Sequence, residues 1–197
     1  MGLFIFIVIL PSMKTILGFD VSSTTIGYCI LKWDETTNDI KFVAASYLKP
    51  IKKGPILERV VDTRNKIQQV IVAAKPDYIA IEDIIQFMAG KSTAKTIIML
   101  TTFNRMIGLT AYDYLGNVPE LFSVMTIRHG LKLTKDLPKK EQMPALVANH
   151  LGITFPYEYN KLGNIKVESY DKADGVAVAL YRTFLLAGKV KRKGKKK

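Results

Sequence analysis

In the first quarter of the chain the apolar residues form short runs that are typical of strands, and the first helical pattern follows them. Residues 15–19, 26–31 and 40–48 are short apolar runs, rich in β-branched and aromatic residues and separated by polar turns. This pattern predicts three strands of an antiparallel meander. From residue 56 to 74 the apolar residues recur at helical spacing, which predicts an amphipathic helix that ends before Pro76.

Strands and helices alternate through the rest of the chain. Residues 78–83 predict a central strand that is buried on both faces, because their apolar run is continuous. A helix that ends at about Leu115 follows, with Ser92 or Thr93 as its N-cap. The later elements are a strand at 121–125, a basic region at 127–140, a helix at 140–151, an irregular stretch at 154–168 and a helix from Asp171 to about Leu186. This order predicts an α/β fold.

The chain is long enough, at 197 residues, to form one domain with a substantial core. We assign residues 13–188 to this domain, residues 1–12 to an apolar N-terminal extension and residues 189–197 to a basic tail. The apolar run at 3–10 is shorter than the about 20 residues needed to cross a membrane, and the basic start and cleavage site of a signal peptide are lacking. We interpret Met13, directly before the first strand, as an alternative start.

The charge of the chain points to a polyanionic partner. The formal net charge is +12, and the last nine residues carry seven Lys or Arg and no acid. Without this tail, 22 basic and 17 acidic residues leave the body at +5. Nucleic acid is the first expectation and an anionic membrane surface the second. The single cysteine, Cys29, excludes a disulfide framework, so we expect a soluble intracellular protein, in the cytoplasm or associated with nucleoid DNA, and not a secreted one.

Acidic residues stand at three places that the predicted fold makes special. Asp20 ends the first strand, Glu82 ends the predicted central strand, and Asp171 and Asp174 share one face at the start of the last helix. Each has a structural alternative, namely a turn cap for Asp20, a surface acid for Glu82 and a helix cap for the last two. All three positions together favour one shared site.

A cluster of carboxylates without a matching excess of lysine favours a hard cation. Mg²⁺ with oxygen ligands is the default for such a site. Two such ions a few ångström apart stabilise the attacking and the leaving oxygen of a phosphoryl displacement. An acidic, metal-binding pocket in a basic protein is a consistent arrangement for cutting nucleic acid, because basic residues bind the phosphates.

The motifs at these acids carry a resemblance to a known family. They are Gly18-Phe-Asp-Val-Ser-Ser-Thr-Thr-Ile-Gly27, Ile81-Glu-Asp83 and Asp171-Lys-Ala-Asp-Gly-Val-Ala177. With the order of the elements over about residues 14–188, they resemble the RuvC family of Holliday junction resolvases, in the RNase H-like superfamily. The resemblance implies an α/β fold with a mixed five-stranded sheet and helices on both sides.

The resemblance also implies an activity and its residues. It implies a homodimer that resolves four-way DNA junctions by paired symmetric nicks, with two Mg²⁺ or Mn²⁺ ions in each site. Carried over by position, Asp20, Glu82, Asp171 and Asp174 are the catalytic residues and the metal ligands. Many bacterial members have His at the position of Asp171, and Pro-Gly is common where this chain has Val21-Ser22. These departures suggest a divergent branch, viral or from a phage.

Further residues are interpreted as DNA contacts. Phe87 lies in the loop where the family places an aromatic near the junction crossover, and its alternative is packing under its own loop. Basic residues are expected to contact phosphates, although a solvated surface explains them too: Lys91, Arg128, Lys132, Lys135, Lys139 and Lys140. Helices 56–74 and 91–115 are the hypothesised dimer interface.

Three other functions are alternatives to junction resolution. The first is another RNase H-like nuclease that acts on other branched DNA or on RNA–DNA hybrids, because the acids are shared across the superfamily. The second is a non-catalytic nucleic-acid-binding module, which gives no reason for the acid cluster. The third, a sugar-kinase or actin-like ATPase domain, is set aside because the chain lacks the second half with its own Asp-containing hairpin. No membrane partner is expected for the nuclease.

Overall fold

The computed structural model of the chain describes residues 13–84 and 93–190. The N-terminal extension, and the basic tail apart from Lys189 and Val190, therefore lie outside the described residues. The strands are β1 (Met13–Val21), β2 (Ile26–Asp34), β3 (Ile40–Leu48), β4 (Tyr78–Asp83) and β5 (Glu120–Ser123). The helices are α1 (Ile56–Ala74), α2 (Ala94–Leu115), α3 (Val124–Leu131), α4 (Met143–Leu151) and α5 (Val167–Leu186), with a 3₁₀ turn at Lys140–Gln142.

The strands form one mixed sheet in the order β3-β2-β1-β4-β5. The first three strands are antiparallel to one another, as the meander prediction requires. β4 runs parallel to β1, and β5 runs parallel to β4. This arrangement confirms the predicted α/β fold with a mixed five-stranded sheet. Because β1 and β4 are parallel neighbours, their carboxyl ends lie at the same edge of the sheet.

Helices cover both faces of the sheet, because successive side chains of each strand point to opposite faces. Ile16 and Ala80 belong to the apolar cluster that includes residues of α3, α4 and α5, on what we call the α5 face. Leu17, Phe19 and Ile81 belong to a second cluster with residues of α1 and α2, on the opposite face. This alternation decides which acids at the strand ends can meet α5.

Two glycines in the first hairpin allow α5 to pack directly on the strand backbone. A Cβ atom at Gly18 would lie 2.5 Å from the backbone nitrogen of Ala179. A Cβ atom at Gly27 would lie 2.0 Å from the carbonyl oxygen of Asp171. Any side chain at either position would push the helix away, so these glycines set the distance between α5 and the sheet.

The structure corrects two boundaries of the sequence-based prediction. β5 ends at Ser123, and α3 follows at once within the stretch that was predicted as a strand end and a basic region. α5 begins at Val167, four residues earlier than predicted, so Asp171 and Asp174 lie beyond its first turn. Because helix caps and dipole effects act within the first turn, the helix-cap interpretation of these two acids is wrong.

The predicted N-cap of α2 is confirmed, and α3, which was not predicted, has a cap of the same kind. Thr93 is the N-cap of α2, and its hydroxyl accepts a hydrogen bond from the backbone N–H of Thr96 at 3.3 Å. Ser123 caps α3 in the same way, through the backbone N–H of Thr126 at 3.2 Å. In the described ranges, no helix has the length and apolar character of a membrane-spanning segment.

Candidate active site

Strand geometry brings Asp20 and Glu82 to the same place. Asp20 follows Ile16 and Gly18 at intervals of two, and Glu82 follows Ala80, so both acids point to the α5 face. Their strands are parallel neighbours with Phe19 opposite Ile81, so the two acids come one residue later on adjacent strands. Asp83 points to the other face, where its carboxylate lies 3.3 Å from Arg105 on α2.

Helix α5 supplies the other two acids. Asp171 and Asp174 are 7 % and 5 % exposed, three residues apart on the helix surface that faces the sheet. The close approach at Gly27, whose strand partner is Asp20, holds the backbone of Asp171 against β2. Four carboxylates therefore converge at the edge of the sheet where β1 and β4 end.

Two positively charged side chains, Lys140 and Arg128, contact this acid cluster. The Nζ atom of Lys140 lies 2.7 Å from Oδ1 of Asp171 and 3.4 Å from Oδ2 of Asp174. The Nη2 atom of Arg128, on α3, lies 3.1 Å from Oδ1 of Asp174, and its Nη1 donates to the carbonyl oxygen of Pro138 at 3.2 Å. Lys140 and Arg128 thus neutralise part of the negative charge of the four acids.

The negative charge that Lys140 and Arg128 do not neutralise contributes to the raised pKa values of Asp20 and Glu82. Burial raises the pKa of Asp20 well above its usual value, and the negative charges of Glu82 and Asp174 raise it further. Burial also raises the pKa of Glu82 to about 7, with the charge of Asp174 as the next cause, against the opposing effect of Arg128 and Lys140. These shifts show that the acids are close enough to repel one another in a place from which water is largely excluded.

The groups on the helix side are shifted by the same forces. Burial raises the pKa of Asp174, although the nearby Lys140 and Arg128 oppose the rise. For Lys140, burial by itself lowers the pKa, but the hydrogen bond to Asp171 and the charges of Asp174 and Asp20 outweigh it and raise the pKa above its ordinary value. Lys140 therefore stays charged while it contacts the acids.

The donor set suits a hard divalent cation. Four carboxylates with repelling charges are the ligands that Mg²⁺ and Mn²⁺ prefer, and the partial neutralisation by Lys140 and Arg128 shows that a cation is favoured there. In residues 13–84 and 93–190, no three His, Cys, Asp or Glu side chains are arranged around a common point as metal ligands. The ammonium group between Asp171 and Asp174 is the contact that a metal ion would replace.

Most of the described residues that are predicted as DNA contacts lie outside the acid cluster. Lys132, Lys135 and Lys139 are exposed in the segment that connects α3 to the 3₁₀ turn. That turn begins with Lys140, which contacts the acids. Phe87 and Lys91 lie outside the described residues. His129 is exposed on α3. The predicted phosphate contacts of these basic residues stay predictions.

The sequence analysis missed the pairing of Arg128 and Lys140 with the acids. Arg128 stands 46 positions from its partner Asp174, and Lys140 stands 31 positions from Asp171. Helix α3, which positions Arg128, had one recognisable signal, namely the hydroxyl pair Ser123-x-x-Thr126 at its N-terminus. No local signal pairs the two cations with particular carboxylates.

Comparison with known proteins gives a family match over most of the chain. The family described as Crossover junction endodeoxyribonuclease RuvC matches residues 16–181. Crossover junction endodeoxyribonuclease RuvC of Sulfurovum sp. (strain NBC37-1) is 28% identical over 165 residues, which cover 84% of this chain and 92% of that protein.

Solved structures show a similar fold. The structure of T. thermophilus RuvC in complex with a Holliday junction substrate has a TM-score of 0.66 at 16% identity, and covers 90% of this chain and 98% of its own. The yeast mitochondrial Holliday junction resolvase has a TM-score of 0.62 at 16% identity, covering 91% of this chain and 81% of its own. At these identities the likeness shows the shared RNase H-like fold.

Proposed function

The chain belongs to the RuvC family of crossover junction endodeoxyribonucleases, and we propose that it resolves four-way DNA junctions by paired symmetric nicks. The observation that carries this proposal is the convergence of four carboxylates at one edge of the sheet. The chain around them has a net charge of +12, which suits a nucleic-acid substrate. Nucleases of this family are metal-dependent and act on branched DNA, typically as dimers.

In this proposal Asp20, Glu82, Asp171 and Asp174 hold two Mg²⁺ or Mn²⁺ ions. Their burial and mutual repulsion support it, because burial first and the neighbouring negative charges second raise the pKa values of Asp20 and Glu82, and divalent cations would stabilise the charged carboxylates. Bound there, the ions would supply an activated water and stabilise the leaving oxygen. The chain itself contributes rigid placement, since two acids are at strand ends and two are on a helix packed against backbone.

Lys140 and Arg128 have a second task in this proposal. They hold the acids together when no metal is bound, because each pairs with a buried carboxylate. The side chain of Lys140 is 41% exposed, so its ammonium group is within reach of a phosphate that enters the site. Exposed Lys132, Lys135 and Lys139 extend the positive charge outward along the same segment.

The proposed dimer uses α1 and α2, which pack against each other and expose apolar side chains. Leu57 is 73% exposed on α1, and Ile98 and Leu109 are 67% and 59% exposed on α2. A homodimer places two acid clusters on one junction, as paired cuts require.

The experiment that tests the proposal is a substrate panel in Mg²⁺. A synthetic four-way junction, a linear duplex, a fork and an RNA–DNA hybrid are incubated with the full chain and with Asp20→Asn. We expect symmetric nicks in the junction, none in the linear duplex, and loss of all cutting in the variant. Cutting of the hybrid alone would reassign the chain to an RNA-directed nuclease. Unchanged cutting by Asp20→Asn would remove the acid cluster from the mechanism.

A further inference from the structure

A small hairpin lies between α4 and α5, in the stretch that the sequence predicts as irregular. Tyr159 and Ile165 form an antiparallel bridge, and the backbone N–H of Lys166 donates to the carbonyl oxygen of Glu158 at 2.8 Å. The side-chain oxygen of Asn160 accepts from the N–H groups of Leu162 at 2.9 Å and Asn164 at 3.0 Å, which closes the turn. We call residues 158–166 the connecting hairpin.

The base of the connecting hairpin is fixed to the part of α5 that carries the site. The buried Nζ of Lys172, next to Asp171 in sequence, donates to the carbonyl oxygen of Pro156 at 2.6 Å and to Oε1 of Glu158 at 3.0 Å. The hydroxyl of Ser169 accepts from the N–H of Glu158 at 2.9 Å. The base of the hairpin is therefore hydrogen-bonded to the helix turn that holds Asp171.

The hairpin base is also connected to the sheet through residues that pair with Asp20 across the strands. Asp20 pairs with Gly27, Gly27 pairs with Tyr47, and the hydroxyl of Tyr47 donates to Oε2 of Glu158 at 3.1 Å. Two strand spacings separate Asp20 from Tyr47, which is about 10 Å. Through the Tyr47 side chain, the hairpin base is therefore connected to β3, which lies two strands from the strand that carries Asp20.

The tip of the hairpin exposes apolar surface that nothing in the fold explains. Leu162 is 85% exposed and Tyr159 is 56% exposed. Glu158, the acid at the base of the hairpin, is already paired with Lys166 and Lys172. Lys161, beside Leu162, has no ion-pair partner within the described part of the chain. An exposed leucine next to an unpaired cation on a rigid turn suits DNA, because apolar wedges pack between base steps while lysines bind the adjacent phosphates.

We propose that the connecting hairpin contacts the branch point of the DNA substrate, with Leu162 packed against bases that lose a stacking partner there and Lys161 on a neighbouring phosphate. This inference rests on the proposed function. Bases at a branch are easier to unstack than bases in a continuous duplex, so the contact contributes to the preference for branched DNA and little to the binding of linear duplex.

The test compares Leu162→Ser with a matched control, Val118→Ser. Val118 is an equally simple apolar residue, 74% exposed, and it precedes β5 at the opposite edge of the sheet from the acid cluster. Affinity for a four-way junction and for a linear duplex of the same arm sequence is measured in EDTA, with 2-aminopurine placed at the branch to report unstacking. Melting temperatures verify that both variants fold.

We expect Leu162→Ser to weaken junction binding about fivefold or more and to reduce the 2-aminopurine signal, with duplex binding within about twofold of wild type. Lys161→Gln should weaken junction binding and lower its salt dependence by about one ion. Val118→Ser should match wild type throughout.

Three results would overturn the inference. One is junction binding by Leu162→Ser equal to that of Val118→Ser, and another is an equal loss on junction and duplex. The third is a change from dimer to monomer in sedimentation of Leu162→Ser, which would make the tip a contact between two copies of the chain. Junction cutting by the wild-type chain is scored separately. If wild type cuts junctions and Leu162→Ser binds normally, only the hairpin contact fails, whereas absence of cutting by wild type removes the proposed function itself.

Discussion

The substitution Gly27→Ala tests whether the spacing between β2 and α5 sets the geometry of the acid cluster. The new Cβ atom would lie 2.0 Å from the carbonyl oxygen of Asp171, whereas ordinary contacts begin at 3.4 Å. About 1.4 Å must therefore be opened between the strand and the helix turn that carries Asp171. Alanine adopts the backbone conformation of Gly27 without strain, so the effect is one of space only.

The size of the effect follows from two known costs. Overpacking of a core destabilises a protein by about 1–3 kcal/mol, and a displacement of about 1 Å at a catalytic group slows a reaction about 10²-fold. We expect Gly27→Ala to remain folded, with a lower melting temperature, and to cut junctions about 10²-fold more slowly at saturating protein. Junction affinity in EDTA should stay within about twofold of wild type, since the lysines that we propose as phosphate contacts are unchanged.

The matched control is Gly108→Ala on α2. A Cβ atom there would meet nothing within 4 Å, and alanine favours a helix over glycine by about 0.8–1.0 kcal/mol. This variant should melt at a higher temperature. Because Gly108 is next to Leu109 in the proposed dimer interface, sedimentation is used to verify that both glycine variants are dimers before their cutting rates are compared. If Gly27→Ala cut junctions at the wild-type rate, the close approach of α5 would not position Asp171, and the reasoning would be refuted.

Three further predictions concern single side chains. Glu82→Gln should slow junction cutting by about 10²-fold or more, whereas Asp83→Asn, on the opposite face of the sheet, should retain most of the activity; equal losses in a cleavage assay would contradict the assignment of the faces. Lys140→Met should destabilise the metal-free protein by about 1–2 kcal/mol, a value reduced because the side chain is partly exposed. It should also enlarge the rise in melting temperature that Mg²⁺ causes. A smaller rise than in wild type would contradict the replacement of the Lys140 ammonium group by a metal ion. The hydrogen bond from Lys172 lowers the pKa of Glu158 below its ordinary 4.5, so its stabilising effect is present above pH 4.5 and is lost as the pH falls through the lower, folded-state pKa. The melting temperatures of wild type and Glu158→Gln should therefore differ at pH 7 and approach each other in acid, and a difference independent of pH would contradict this.

The parts of the fold that follow a local period could be predicted from the sequence. The meander and the central strand were predicted from short apolar runs, and α1 was predicted from apolar positions that repeat at 3.6 residues. The face on which Asp20 lies could not be predicted, since Ile16 and Leu17 are both buried, on opposite faces of the sheet. The strand β5 was misjudged at its end because four residues are too few for a period to show where a strand ends and a helix begins.

The site itself depends on contacts between distant parts of the chain. The pairing of Lys140 with Asp171 and of Arg128 with Asp174 arises only when α3 and the 3₁₀ turn pack beside α5. The connecting hairpin was read as irregular because its order comes from the Asn160 side chain and from Lys172, neither of which produces an apolar period. Sequence patterns therefore located the acids but not the cations that hold them.

The most direct test of the central claim is the product formed from a supercoiled plasmid that extrudes a cruciform. Two coordinated nicks across one junction convert this plasmid to a linear molecule, whereas independent nicks give open circles. We predict linear product in Mg²⁺ with the wild-type chain, and none with Asp20→Asn or in EDTA. Open circles as the main product, or linear product from Asp20→Asn, would contradict the account of a metal-dependent junction resolvase built on these four acids.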